Sequence, residues 1–326
     1  MKGTTIKRTG RKRKILIAAG IFLLVFILFP YMIPVSNADE NQAVYPFEDS
    51  QFAVIDSVLL HYRIQVPQGN KVKGNVLLVH GLGGSTYSFN RNVSALAEAG
   101  YKVLSVDLPG FGYSSRSTIF DHSQLSRAKL LWKLIDQIEG PAAGKWFLAG
   151  HSMGGGTVTA MAYLNPGKTK SVILIDGALL DTNQGAAGIL KIPPFDRYTT
   201  VYLEKILITK ANIRKFLVSA YGREPSQEEL QKYEEPLLLP GTAGSAIGFL
   251  KTSKNVPLEM LESLDVPFYG IWGKEDTWVP VDQALKIKEH IRNFVFVSIE
   301  GAYHCPMETK SEEFNKILIT YLDSFE

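Results

Sequence analysis

Gly150-His151-Ser152-Met153-Gly154, extended by Gly155 and Gly156, sets a serine midway between two glycines, directly after the apolar run Trp146 to Ala149 and before a stretch that reads as helix. G-x-S-x-G at a strand-to-helix junction is the layout of a nucleophile held on a sharp turn. The turn strains the serine backbone and exposes its oxygen, and a side chain at either glycine would strike neighbouring backbone. The next helix directs its N-terminus, with its partial positive charge, at the place where negative charge would develop. Ser152 is therefore the candidate nucleophile, because chance rarely places this pattern at such a junction.

A serine hydroxyl is a weak nucleophile at neutral pH. It needs a base within hydrogen-bond reach and a carboxylate to orient that base. On a strand-turn-helix elbow the partners come after the serine in the order acid, then histidine. His61, His80, His122 and His151 precede Ser152 and fail that order, and His290 falls on a predicted helix and reads as a surface residue. His304, in the loop Glu300-Gly301-Ala302-Tyr303-His304 after the last apolar strand, is the candidate base. Asp276 is the first choice of acid, since Gly273-Lys274-Glu275-Asp276 comes after the strand Phe268 to Trp272 at the carboxyl end of the sheet, where sites form in open α/β folds. Glu275, Asp176 and Asp181 stay open as alternatives, and Asp107 reads as the organiser of a loop. His80-Gly81-Leu82-Gly83-Gly84 comes after the strand Val76 to Val79, where backbone amides can converge on an oxyanion. The amides of Leu82 and Met153 are the expected pair. A Gly-rich loop can also cradle phosphate, but no G-x-x-x-x-G-K-[ST] pattern occurs here.

The elements that must position these residues are legible as an alternation. Apolar strands at Asn75 to Val79, Lys102 to Val106, Lys145 to Ala149, Ser171 to Ile175, Pro267 to Trp272 and Phe294 to Ile299 alternate with helical stretches at Tyr87 to Ala99, Gln124 to Glu139, Gly154 to Leu164, Val281 to His290 and Ser311 to Phe325. That rhythm predicts a mostly parallel sheet covered by helices on both faces. Gln51 to Val66 reads as an opening antiparallel pair, and Ser311 ahead of Glu312 and Glu313 as an N-cap. The interval from about 179 to 263 breaks the rhythm with helix-like stretches at Tyr198 to Thr209, Ile213 to Tyr221 and Gln227 to Glu234, a helical cap inserted between two strands. Its Ile189, Leu190, Ile192, Leu237, Leu238, Leu239, Ile247 and Phe249 either line an acyl pocket or, the commoner role for such residues, pack the cap onto the sheet.

With 326 residues and 45% apolar content, the chain can bury one large core. The net charge of +3 resides at the N-terminus: residues 1–38 hold seven Lys and Arg and no acid, leaving 28 basic against 32 acidic residues elsewhere. Nothing there suggests nucleic acid. Cys305 is the sole cysteine, so no internal disulfide and no thiolate metal cluster can form. Six Lys and Arg from Lys7 to Lys14 precede the uncharged run Ile15 to Phe29, a basic n-region ahead of an apolar h-region. The run gives a helix of roughly 22 Å, or roughly 31 Å if continued to Val35; the first length suits a signal peptide and the second a membrane anchor. Ser36-Asn37-Ala38 supplies the small residues that cleavage needs. Both fates of 1–38 stay open, each placing the remainder of the chain outside the cytoplasm, with 39–50 as a polar tether and 51–326 as the catalytic domain.

The elbow, the His-Gly loop, the segment Asp107-Leu108-Pro109-Gly110-Phe111-Gly112, Gly273 to Asp276 and His304, all between about Gln51 and Glu326, resemble the α/β-hydrolase superfamily. The resemblance implies a mostly parallel eight-stranded sheet flanked by helices, a helical cap over the site, and chemistry of the kind found in esterases, haloalkane dehalogenases, epoxide hydrolases and C-C bond hydrolases. Dehalogenases and epoxide hydrolases carry aspartate at the elbow, where this chain has Ser152. Prolyl aminopeptidases usually show a tryptophan there, where this chain has His151 and Met153. Carboxylic-ester hydrolysis through an acyl-enzyme, without metal or organic cofactor, on a small-molecule or lipid-like ester, is the expectation. The alternatives are an acyltransferase, a thioesterase, a peptidase of small peptides, or a non-catalytic membrane-tethered binding module.

Overall fold

The computed structural model describes residues 5–37, 44–69, 71–142, 144–180 and 188–326. Eight strands form one sheet: β1 (Ser50–Ile55), β2 (Val58–Gln65), β3 (Gly74–Val79), β4 (Tyr101–Val106), β5 (Trp146–His151), β6 (Thr169–Ile175), β7 (Phe268–Gly273) and β8 (Phe294–Ile299). Their spatial order is β1-β2-β4-β3-β5-β6-β7-β8, and β2 alone runs opposite to the other seven. The β1–β2 hairpin turns through Asp56 and Ser57, both at positive φ, the backbone that a two-residue hairpin turn requires.

The inner strands are apolar throughout because both faces are covered. Alternate residues divide between two cores. Leu77, Val79, Trp146 and Leu148 pack with helices α3 (Gln124–Glu139) and α4 (Met153–Leu164). Val76, Leu78, Phe147 and Ala149 pack on the other face, with the short helix α2 (Val93–Glu98) and the C-terminal helix. The period of two along a strand produces this split. The expected helix over Tyr87 to Ala99 is in fact a 3-10 turn, Thr86–Phe89, and then α2. Asn92 interrupts it, its side-chain amide donating to the Met307 carbonyl and to Asn315.

Among the described residues between β6 and β7 stand the helices α5 (Phe195–Tyr202), α6 (Lys210–Tyr221), α7 (Gln227–Leu237) and α8 (Thr242–Thr252). Helix α5 runs into a π-helical turn at Leu203–Leu207, and α7 begins with a capping box formed by Ser226 and Glu229. Helix α8 is unforeseen: Gly241, Gly244 and Gly248 argue against a helix, yet Ala243 and Ile247 bury against Leu203 and hold it. After β7 come α9 (Asp282–His290), the short α10 (Pro306–Thr309) and α11 (Ser311–Asp323). Ser311 is the first helical residue of α11 and Lys310 its N-cap, with no side-chain cap, so the expected Ser311 cap is replaced by the chain entering from α10.

The N-terminal helix α1 covers Thr5–Leu28 and passes into a 3-10 turn at Phe29–Met32. Its span Lys12–Met32, 21 residues with mean hydropathy 2.7, is long and apolar enough to cross a membrane. Residues 38–43, which include much of the expected tether, lie outside the described residues. Phe47, near the end of that tether, packs on the domain, its ring under the Arg63 guanidinium at 4.2 Å.

Candidate active site

Four strand ends meet at one edge of the sheet. Strand β5 delivers Ser152, β3 the loop His80 to Gly84, β7 the loop with Asp276, and β8 the loop with His304, all at carboxyl ends. Ser152 has φ 48° and ψ −118°, a conformation that costs a non-glycine residue on the order of 1–3 kcal/mol. Its neighbours explain why the strain is tolerated. A Cβ on Gly154 would collide with the Val79 and His80 carbonyls, and one on Gly150 with the Gly154 carbonyl. The elbow is thus clamped between β3 and the first turn of α4, and the Ser152 amide donates to the Ile175 carbonyl at 2.9 Å.

His304 Nδ1 lies 2.7 Å from Asp276 Oδ2. The other Asp276 oxygen accepts the amides of Trp278 (2.7 Å) and Val279 (3.1 Å). Burial alone would raise the Asp276 carboxyl, but the hydrogen bond and charge of His304 together with the Val279 amide hold it below the usual carboxylate range. Asp276 is therefore ionised and presents an acceptor to His304 Nδ1, leaving Nε2 for the cavity. The three residues are nearly inaccessible. Ser152 and His304 line a cavity of about 230 Å³ whose walls include Leu82, Leu180, Phe216, Leu217 and Trp278. A wider hollow of about 710 Å³ beside α3 contains none of the three.

Leu82 lines the same cavity, and an ideal Cβ on Gly81 would come within 3.0 Å of the Ser152 Cβ, so the His-Gly loop abuts the serine. Among the described residues, the amides of Leu82 and Met153 donate to no other group, which leaves two N–H donors free beside Ser152. The loop is braced by His80, whose Nδ1 donates to the Gly81 carbonyl (2.7 Å) while Nε2 accepts the Leu108 amide (2.9 Å). Both bonds require the neutral ring, and burial lowers its pKa accordingly. Asp107 organises the next loop: its carboxylate accepts the amides of Thr86 and Tyr113 and pairs with His61.

The alternative acids separate clearly. Glu275 is exposed, and Asp181 lies outside the described residues. Asp176, fully buried at φ 45°, accepts the Gly273 amide through Oδ1 at 2.8 Å, while its Oδ2 has no geometric hydrogen-bond partner among the described residues. Burial first, and then the charge of Asp276, push its pKa well above the carboxylate range, which favours its neutral form. Asp176, Asp276 and His304 each present one atom within 4.8 Å of the others, a spacing that a cation could also use. The Asp276 carboxylate in that trio is already engaged by the His304 imidazole and by the Trp278 and Val279 amides.

Two supporting residues escape sequence reasoning. His151, discarded by chain order, lies with its Nε2 at 2.8 Å from the His304 carbonyl and its ring centroid 4.8 Å from that of His304. Burial and the neighbouring His304 lower its pKa to about 3, so the ring is neutral and Nε2–H is the donor. The Trp278 ring also packs on His304, with centroids 5.0 Å apart. Of the eight cap residues expected to line a pocket or pack, none lines this cavity. Leu190 and Ile247 are buried, while Ile189, Ile192 and Leu238 face solvent.

The signature described as "alpha/beta hydrolase fold" matches residues 74–311, and the chain belongs to that family. It is a hydrolase by family and fold. It is 27% identical over 259 residues to a 2-hydroxy-6-oxononadienedioate/2-hydroxy-6-oxononatrienedioate hydrolase of Burkholderia vietnamiensis, covering 76% of this chain and 86% of that protein. Among solved structures it is similar to a meta-cleavage product hydrolase, with TM-score 0.66 and 20% identity over 85% of this chain and 99% of the other. It is also similar to a membrane phospholipase A described as a bacterial virulence factor, with TM-score 0.68 and 20% identity over 98% of each chain.

Proposed function

We propose that this hydrolase cleaves carboxylic esters with an apolar acyl group, from a membrane-anchored position, through a Ser152–His304–Asp276 triad. The observation that carries the reading is the strained Ser152 in one small apolar cavity with His304, whose Nδ1 is held by Asp276 at 2.7 Å. Ser152 Oγ attacks the ester carbonyl while His304 Nε2 takes its proton. Asp276 holds the tautomer and stabilises the imidazolium. The oxyanion is received by the Leu82 and Met153 amides at the positive end of α4. His304 returns the proton to the departing alcohol, and water then attacks the acyl-enzyme by the same route in reverse. No step calls for a metal or an organic cofactor.

C-C bond hydrolysis is the second reading, favoured by the name of the Burkholderia relative. That name specifies a dicarboxylate, whereas the described residues that line the cavity include no Lys or Arg, and residues 181–187, Asp181 to Ala187, contain none in sequence. An unpaired carboxylate in such a cavity carries a desolvation penalty of several kcal/mol. An uncharged acyl chain does not. Purified protein is expected to turn over p-nitrophenyl butyrate and octanoate faster than a 2-hydroxy-6-oxo-dienedioate, judged by kcat/KM. The opposite preference would give the site to C-C hydrolysis. Retention of the N-terminal span is supported by its hydrogen bonds to the cap: Tyr198 donates to the Phe26 carbonyl, and Arg197 to those of Pro30 and Ile33.

A further inference from the structure

Residues near the C-terminal end of α1 and in the turn after it are tied to the cap in register. The Phe26 ring packs on Phe195 and Tyr198, with centroids 6.0 and 5.1 Å apart, and the Tyr198 hydroxyl donates to the Phe26 carbonyl at 2.9 Å. Arg197 donates to the carbonyls of Pro30 (3.2 Å) and Ile33 (2.7 Å). Ser36 donates through its amide and hydroxyl to Glu204. As the N-terminal chain advances from 26 to 36, its partners advance from 195 to 204. Helix α5 therefore runs alongside the N-terminal segment in the same sense, its Phe195 end nearest the apolar span.

Phe26 lies six residues inside the span that ends at Met32, roughly 9 Å along a helix. If Lys12–Met32 crosses the bilayer, the start of α5 must sit at acyl-chain or headgroup depth. Three apolar residues at that end are exposed, Ile189 at 50%, Ile192 at 54% and Phe195 at 36%, and the exposed Lys191 among them has a stem long enough to carry its charge to the headgroups. Exposed apolar clusters of this kind mark interaction surfaces, and the anchor's position identifies the partner. Tyr198 and Arg197 are residue types that suit the interfacial level.

We infer that the cap edge formed by Ile189, Ile192 and Phe195 is a bilayer-docking surface, immersed beside α1, so that the catalytic domain lies against the membrane instead of hanging from a free tether. The inference rests on reading α1 as a retained span. Depth falls along the cap in the order set by the register, with Ile192 deeper than Ile206; Val295, exposed on the edge strand β8 and not part of the cap, is the reference expected outside the bilayer. Docking this edge keeps the catalytic domain at the bilayer and so favours esters that reside there.

The test uses the full chain in vesicles of phosphatidylcholine and phosphatidylglycerol, with single cysteines at Ile192, Ile206 and Val295, each labelled with a bimane fluorophore. Native Cys305 is buried, and unsubstituted protein is the labelling control. Acyl-brominated phosphatidylcholine is expected to quench the label at 192 most, at 206 less and at 295 not at all. Quenching at 192 no greater than at 295, or the order of 192 and 206 reversed, overturns the inference. In parallel, the double variant Ile189→Asp/Ile192→Asp is expected to lower hydrolysis of phosphatidylglycerol in those vesicles about tenfold by weakening interfacial contact, with p-nitrophenyl butyrate turnover unchanged. Equal vesicle activity in variant and wild type overturns the link to catalysis. A wild type that cleaves neither ester removes the ester reading instead, and the quenching order then decides the docking surface alone.

Discussion

Asp176 and Asp276 are two buried carboxyls beside one imidazole, and their environments drive them to opposite protonation states. Asp276 receives two amides and the His304 Nδ1–H, which hold its pKa down; Asp176 receives one amide, and its burial pushes its pKa up. This difference yields a discriminating pair of substitutions. Asp276→Asn is expected to lower kcat/KM for p-nitrophenyl butyrate by about 10⁴, because the amide favours the wrong imidazole tautomer. Asp176→Asn replaces a neutral acid by a neutral amide and is expected to cost less than about tenfold, the scale of one lost neutral hydrogen bond. A large loss in the second and a small one in the first would reverse the two roles. Ser152→Ala is expected to abolish ester turnover and fluorophosphonate labelling while circular dichroism stays that of the folded protein; undiminished turnover would remove Ser152 from the nucleophile position. The elbow that holds Ser152 and the loop that holds His304 are legible in the sequence because their requirements are local: glycines at fixed offsets and a loop after a strand. The choice between Asp276 and Asp176 is not, since it turns on which neighbours reach each carboxyl. His151 is illegible for the same reason, its partner lying 153 residues away at the His304 carbonyl.

At the scale of elements, the cap helices are fastened to the core by several side-chain bonds, among them two buried groups. Arg116, in the loop after β4, donates to Thr242 and to the Pro236 carbonyl. Elsewhere, Glu308 of α10 accepts the hydroxyls of Tyr221 from α6 and Tyr233 from α7, both at 2.6 Å. Burial pushes the Glu308 carboxyl up to about 7, outweighing the two tyrosine hydrogen bonds. The folded state therefore keeps a proton that the unfolded chain releases at ordinary carboxylate pH. The associated stability is fully present below about pH 4.5 and lost as pH rises to about 7, up to about 3 kcal/mol. Urea unfolding at about pH 5 and about pH 7.5 is expected to show a smaller fall in stability for Glu308→Gln than for wild type; equal falls would mean that Glu308 ionises alike in both states. The strands and core helices that hold the loops of Ser152, Asp276 and His304 are set by hydrophobic period, and their bounds agree closely with the sequence, as Gln124–Glu139 and Phe294–Ile299 show. The cap is less legible because α8 owes its helix to burial against Leu203, a tertiary contact that outweighs its glycines.

At the scale of the molecule, the question is whether α1 stays. Sequence leaves a cleavable signal and a permanent anchor equally open, because basic flank, apolar run and small residues at Ser36 and Ala38 serve both. The structure adds contacts that a discarded peptide would not need: cap side chains from Tyr198, Arg197 and Glu204 bond to main-chain groups from Phe26 to Ser36. Removing the segment would strip partners from Arg197, whose donors satisfy the carbonyls of Pro30 and Ile33, and expose Phe195 further. A retained helix of this hydropathy is effectively irreversible in its insertion. Protein expressed with its native N-terminus is therefore expected to remain in the membrane fraction after alkaline carbonate washing, to release only with detergent, and to show a mass that includes residues before Ala38. A soluble product beginning near Asp39 would establish cleavage. It would also leave the exposed Ile189, Ile192 and Phe195 without the anchor that argues for their place in the bilayer.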